Sequence, residues 1–173
     1  MMMDHGGMPE LRPIPPGWLH TAADVQFMQG MIAHHAQAIV MSKMAASHGA
    51  NPRLARFAQK IDLSQAGEIV LMQGWLRERD QIAPDTSSHR TITMPGMLTT
   101  EQLAQLDAAR GVEFDRLFLT LMIQHHEGAL KMVADLLDSP RAAQDIDVSV
   151  FANDVHLVQT TEIEIMREML ADL

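Results

Sequence analysis

The chain contains one pattern, Met-x-x-His-His, twice, at residues 31–35 and 122–126. Seven residues of the first copy return at a constant offset of 125 − 34 = 91: Asp24, Met31, Ile32, His34, His35, Ala38 and Met41 become Asp115, Met122, Ile123, His125, His126, Ala129 and Met132. A second set returns at 162 − 68 = 94: Phe57, Ala58, Gln65, Glu68, Ile69, Met72 and Leu76 become Phe151, Ala152, Gln159, Glu162, Ile163, Met166 and Leu170. These matches indicate a duplicated pair of helices. Four amphipathic helices are buried most simply in a four-helix bundle.

Capping signals locate the helices of the first copy. Thr21-x-x-Asp24 is a capping box that opens a helix running to about residue 47, where Gly49 can close it in a left-handed conformation. Asn51-Pro52 then supplies an N-cap and a first-turn proline for a second helix, which reaches about residue 80.

The second copy has matching signals. Thr99-x-x-Gln102 is a capping box for a helix that runs to about residue 137, with Gly111 as a point where it can break. Ser139-Pro140 repeats the cap-then-proline signal, and the last helix is predicted to reach about residue 170, with its clearest helical pattern from Asp147 onward.

We therefore predict an all-α fold, a four-helix bundle made of two duplicated hairpins, and a single domain over residues 1–173, a length that suits one core. The first hairpin occupies residues 20–80 and the second residues 99–173. Residues 81–98, rich in proline and hydroxyl side chains, form the connection, and residues 1–19 form a flexible N-terminal segment.

Composition excludes several classes of function. Thirteen Lys and Arg against 22 Asp and Glu give a net charge of −9, so the chain lacks the basic stripe of a nucleic-acid-binding surface. It has no apolar run of the roughly 18 residues that a transmembrane helix needs, and its start has no signal-peptide pattern. Cysteine is absent, which excludes disulfides and thiolate metal sites, whereas 15 Met and 9 His are available as donors.

The helical period places His35 and its copy His126 on the core face. Counting from the hairpin turn puts His35 level with Gln65, and Met31 level with Glu68, with the copies paired likewise. Glu68 and Glu162 also lie on apolar stripes, so buried His and Glu are candidate metal ligands. The alternative, which we favour for these four residues, is that they hydrogen-bond to one another and fix the helix register.

His34 lies to the side of that face, and Met31 and Met41 flank it on the same border. The second copy repeats the set as Met122, His125 and Met132. Imidazole and thioether groups together form a soft donor set that suits copper(I) or silver(I). The alternative is that these methionines are adaptable core filler, and the pattern alone does not separate the two interpretations.

Two further clusters carry soft donors. Residues 1–8 form a Met-rich and His-containing segment with His5 and Met8 as candidate ligands, and Met94-Pro95-Gly96-Met97 places two thioethers around a tight turn. Both clusters can bind a soft metal. The methionines of the turn can equally cap the end of the bundle core.

The segments FMQGMIAHHAQAIVMSKMA, MPGMLTTEQLAQL and EFDRLFLTLMIQHHEGALKMV, with Gln-x-x-Glu-Ile-x-x-Met in both second helices, resemble the bacterial "domain of unknown function 305" family over roughly residues 20–170. The resemblance implies a ferritin-like four-helix bundle. It also implies an exported protein, periplasmic or extracellular, in a family in which some members bind copper and silver in the periplasm.

Three functions follow as hypotheses. The leading one is a non-enzymatic protein that sequesters or transfers copper(I) or silver(I) through Met and His. The second is a structural or interaction bundle whose polar core binds no metal. The third, a dinuclear iron or manganese oxidoreductase, is disfavoured because such centres use Glu-x-x-His, and the position three residues before each histidine holds Met31, Ile32, Met122 or Ile123. The identity of the metal and the oligomeric state, including a homo-oligomer, stay open.

Overall fold

The computed structural model describes residues 7–173, and this part of the chain is helical without strands. The long helices are α1 (Ala22–Met44), α2 (Pro52–Glu78), α4 (Gly111–Asp138) and α5 (Ile146–Ala171), and a short α3 (Thr100–Ala108) precedes α4. A 3₁₀ turn, Thr86–Arg90, lies in the connection. The predicted all-α fold class is therefore confirmed.

Helix starts follow the local signals. The Thr21 side chain accepts a hydrogen bond from the Asp24 backbone N–H and the Asp24 carboxylate accepts one from the Thr21 N–H, which completes the capping box. Thr99 and Gln102 form the same box before α3. Gly49 adopts the left-handed conformation expected of it, with φ of +71°. These ends are fixed by neighbours in sequence, so the sequence alone can predict them.

The break that the sequence allows at Gly111 is present: α3 ends at Ala108, and α4 begins at Gly111, which has φ of +63°. One boundary differs from its sequence signal. The last helix begins at Ile146 rather than at the Ser139-Pro140 signal. The reason is a competing cap, because the Asp145 carboxylate accepts hydrogen bonds from the backbone N–H groups of Asp147 and Val148.

The two hairpins meet through their first helices. α1 packs on α2, α4 packs on α5, and α1 crosses α4 at the centre of the bundle. Two buried carboxylates show that α1 and α4 are antiparallel. Asp24, at the start of α1, accepts the backbone N–H of Ala143 at 2.8 Å, and Asp115, at the start of α4, accepts that of Asn51 at 3.1 Å. Each duplicated aspartate therefore pins the hairpin turn of the other copy.

The N-terminal segment, as far as the structure describes it, runs without helix along the bundle. The Arg12 backbone makes two hydrogen bonds of 3.0 Å with the buried side chain of Gln81. Among residues 7–173, no helix is both long and apolar enough to cross a membrane.

Candidate metal centre

The four histidines of the doubled motif form a polar layer in the middle of the bundle. His34 and His125 meet where α1 crosses α4, with ring centroids 3.8 Å apart and planes tilted by 38°. His35 and His126 follow them on the same two helices. All four side chains are fully buried. The layer thus brings together two sequence copies that are 91 residues apart.

The structure corrects the sequence placement of His34 and His125. Both were expected on the border of an apolar face, yet each is 0% exposed. The reason is that α4 and the connection cover this flank of α1, which is buried on nearly all sides. A periodicity argument identifies one core face per helix and does not detect a second covering layer.

Hydrogen bonding and burial fix the state of these two rings. His34 Nε2 lies 3.0 Å from the Pro95 carbonyl oxygen, and since a carbonyl only accepts, Nε2 carries the proton. Among the residues that the structure describes, His34 Nδ1 and both nitrogens of His125 have no hydrogen-bond partner. Burial, reinforced by the imidazoles of His35 and His126, lowers the pKa of His34 to about 3. Burial and the adjacent His34 also hold the pKa of His125 well below its ordinary value. Both rings are therefore neutral near pH 7, the form that binds metal ions.

The other two histidines are bonded within their own hairpins. His35 Nε2 donates to the Glu68 carboxylate, and His126 Nε2 donates to Glu162 Oε1 at 2.8 Å. The partner of His35 is thus Glu68, three positions after Gln65, the residue that counting from the turn places level with His35. The sequence favoured hydrogen bonding among His35, His126, Glu68 and Glu162 over metal binding, and these bonds are present. A role as metal ligands for the same four residues stays a prediction.

The antiparallel crossing regroups the methionines around the layer. Met31 and Met132 belong to one part of the core, and Met41 and Met122 belong to the other. Met31 and Met41, which lie before and after His34 in α1, therefore pack in different parts of the core. Each side of the histidine pair instead receives one thioether from each copy.

The Met94–Met97 turn is fastened over this crossing. Pro95 accepts the hydrogen bond from His34, and the Gln37 amide exchanges two bonds, of 2.8 and 3.1 Å, with the Leu98 backbone. A Cβ at Gly128 would overlap the Pro95 carbonyl group, so only glycine allows the turn to lie against α4. The turn is therefore held by residues of both first helices.

Sequence reasoning missed Gly30, Gln37 and Gly128, which seat this turn. A signal was available, because these positions break the duplication: Gly30 corresponds to Leu121, and Gln37 corresponds to Gly128, at the 91-residue offset. The connection occurs once while the hairpins occur twice. The residues that receive it must therefore differ between the copies.

The lower-ranked candidates separate into two groups. Met97 Sδ accepts the backbone N–H of Met94 at 3.2 Å, so its sulfur serves the turn. Met94 and Met8 are partly exposed and line one pocket with Met132. His5 lies outside the described residues.

Within residues 7–173, no three His, Asp or Glu side chains form a group able to hold a metal ion. What the layer offers is neutral imidazole nitrogen, some of it unpartnered, with neutral thioethers on both sides. Such donors favour a soft monovalent ion over a hard divalent one.

Comparison with known proteins gives a consistent result. A family model described as "Domain of unknown function (DUF305)" matches residues 24–170. A DUF305 fragment from Deinococcus radiodurans has a crystal structure with 29% identity, a TM-score of 0.77, and coverage of 92% of this chain and 100% of that chain.

CopM in its Cu(I)-bound form is 27% identical, with a TM-score of 0.69 and coverage of 86% of this chain and 96% of CopM. CopM has also been solved with Cu(II), with silver and in an apo form. An uncharacterised mimivirus protein, L153 of Acanthamoeba polyphaga mimivirus, is 43% identical over 56 residues, which cover 32% of this chain and 37% of L153. The family match spans most of the helical bundle, and the chain belongs to the DUF305 family.

Proposed function

We propose that this protein is a non-enzymatic carrier or store for copper(I) or silver(I), bound where α1 crosses α4. The observation that carries the proposal is the pair of buried, neutral imidazoles of His34 and His125, which are in contact and whose nitrogens are largely unpartnered. A buried polar atom without a partner is costly, and a metal ion would use these lone pairs.

Thioethers complete the donor set. Met31 and Met132 flank the pair on one side and Met41 and Met122 on the other, and all four are buried. The positive charge of a monovalent ion here is offset by Glu68 and Glu162, which contact the neighbouring histidines. Uncharged ligands, with carboxylates bonded to the histidines next to them in sequence, favour Cu(I) and Ag(I).

The comparisons support the same metals. CopM, with the same fold at 25–27% identity, has been solved with copper and with silver bound. The family resemblance further supports an extracytoplasmic location, in which the chain would sequester the ion or hand it to a partner.

The test is a copper(I) titration of the purified protein against a competing chelator. We expect His34→Gln combined with His125→Gln to lower the affinity at least about tenfold, since even residues behind the ligands change affinity by 10- to 100-fold. The matched control is His48→Gln, because His48 is buried and bonded to Asp107 away from the layer. Circular dichroism checks that each variant is folded. An unchanged affinity in the folded double variant would overturn the assignment.

One observation favours the second candidate, a structural bundle without metal. His35, His126 and His34 each already donate to an oxygen acceptor, so the layer specifies helix register by itself. This alternative predicts the same melting temperature with and without Cu(I) or Ag(I), whereas binding to the folded state raises it.

A further inference from the structure

A pocket at the surface gathers three methionines from three separate parts of the chain. Met8 belongs to the N-terminal segment, Met94 to the connection and Met132 to the last part of α4. The pocket has a volume of about 300 Å³ and is open to solvent. We propose that it is a second metal site, built from thioethers alone, at which Cu(I) or Ag(I) enters and leaves the protein.

Gly30 has no side chain, and the end of the Met94 side chain occupies the space that a Cβ would take. A Cβ at Gly30 would lie 2.9 Å from Met94 Sδ, 2.7 Å from its methyl carbon and 3.4 Å from the methyl carbon of Met132. The ends of two methionines therefore meet over the bare backbone of α1. Glycine is less favourable than alanine in the middle of a helix, and at this position it leaves the space in which the two methionines meet.

Within residues 7–173, the sulfurs of the two methionines of the turn differ. Met97 Sδ accepts the Met94 backbone N–H, whereas Met94 Sδ accepts no hydrogen bond from this part of the chain. The turn itself is anchored through Pro95, Leu98 and Gly128. A ligand side chain on an anchored turn loses little entropy when it binds.

The third thioether arrives with the N-terminal segment. Gly7, with φ of +87°, packs directly on the Thr91 backbone beside the pocket, and a Cβ there would overlap the Thr91 carbonyl. Glycine at this position thus lets the segment lie against the connection and brings Met8 to the pocket wall. Met8 and Met94 are partly exposed, whereas Met132 is 4% exposed, so the site spans from surface to core.

Three thioethers without charge or nitrogen favour soft monovalent ions and disfavour Cu(II) and Zn²⁺. The rim carries the Asp135 carboxylate, which is 2.8 Å from Lys131, and the chain as a whole has a charge of −9, which draws cations towards the surface. His34 is wholly buried, so an ion bound there needs a route from solvent. The same turn carries both the pocket ligand Met94 and Pro95, the partner of His34, and so links the pocket to the histidine layer.

This inference rests on the proposed function, because it assumes that the chain binds soft metal. It adds an accessible site of different composition. The two can fail separately, since the pocket is proposed to bind through methionine sulfur and the layer through imidazole nitrogen.

The experiment uses protein labelled with ¹³C at the methionine methyl groups and with ¹⁵N in the histidine rings. It is titrated with Ag(I), which is diamagnetic and stable to oxidation. Met8→Leu, Met94→Leu and Met132→Leu assign the three signals, and leucine conserves volume well enough for folding. We expect these three signals to shift first. Substituting Met8 and Met94, which do not belong to the central donor set, should lower the stoichiometry by one silver ion per chain. Met72→Leu is the matched control, because Met72 is fully buried elsewhere, and it should leave the stoichiometry unchanged.

Each outcome decides between the two sites. Shifts at the imidazoles of His34 and His125, with the Met8 and Met94 methyl signals unmoved, would overturn the pocket and leave the proposed function standing. Shifts at the three methyl signals with unmoved imidazoles would support the pocket and overturn the central site. A protein that retains no silver, and shows no shift of either kind, would overturn both.

Discussion

Replacing Gly128 by alanine tests how the Met94–Met97 turn is seated. A Cβ at Gly128 would overlap the Pro95 carbonyl group and lie 2.5 Å from Gly96 Cα. Backbone atoms cannot yield as the end of a flexible side chain does, so the turn must move away from α4. The hydrogen bond from His34 to Pro95 is then lost, and the buried His34 N–H is left without an acceptor.

The expected magnitude follows from three contributions. Repacking an overfilled contact costs about 1 to 3 kcal/mol, and an unpaired buried N–H costs about 1 to 3 kcal/mol. Alanine returns about 1 kcal/mol of helix propensity within α4. We therefore expect Gly128→Ala to lower the free energy of unfolding by about 1 to 5 kcal/mol.

Urea denaturation followed by circular dichroism measures this change. The matched control is Gly67→Ala, in the middle of α2, where a Cβ meets nothing within 4 Å. That substitution should raise the free energy of unfolding by about 0.5 to 1 kcal/mol. The two changes thus have opposite signs. A Gly128→Ala protein as stable as the wild type would refute the seating of the turn described above.

Three further predictions concern the polar groups of the core. Since the folded protein holds the pKa of His34 at about 3, below the ordinary 6.5, the unfolded chain takes up the proton first. The free energy of unfolding of the metal-free protein should therefore fall from about pH 6.5 towards about pH 3, by up to about 1.4 kcal/mol per pH unit for each such imidazole. An equal slope in His34→Leu/His125→Leu would contradict this. Glu68→Leu should cost about 1 to 3 kcal/mol by leaving the His35 N–H unpaired, and Glu68→Gln should cost less because it keeps an acceptor, as urea denaturation can show. By the same assay, Asp24→Ala should cost about 1 to 3 kcal/mol, whereas the exposed Asp154→Ala should stay within about 0.5 kcal/mol; equal effects would deny Asp24 its bond to Ala143.

Local interactions explain what the sequence predicts correctly. Capping boxes at Thr21 and Thr99 join residues three positions apart, so the helix starts need no tertiary information. The duplication shows that the chain contains two similar hairpins, and the helical period places His35 and His126 in the core. Glu68 was a candidate partner for the same reason, since it shares an apolar stripe with core residues. Counting from the turn pairs His35 with Gln65, whereas the observed hydrogen bond joins His35 to Glu68. A contact between α1 and α2 is not local to either helix, so the sequence does not fix it.

The contents of the candidate metal sites depend on the tertiary structure. Whether His34 is a border or a core residue depends on α4 and the connection, which cover a flank that the period of α1 leaves unassigned. The antiparallel crossing pairs Met31 with Met132 and Met41 with Met122, although the sequence groups them by copy. The thioether pocket joins residues 8, 94 and 132, which share no period and no motif. The sequence by itself determined the repeat, the helices and their inward faces, because those follow from contacts between near neighbours. Only the tertiary structure decided which donors meet, because that depends on the direction in which the two copies cross.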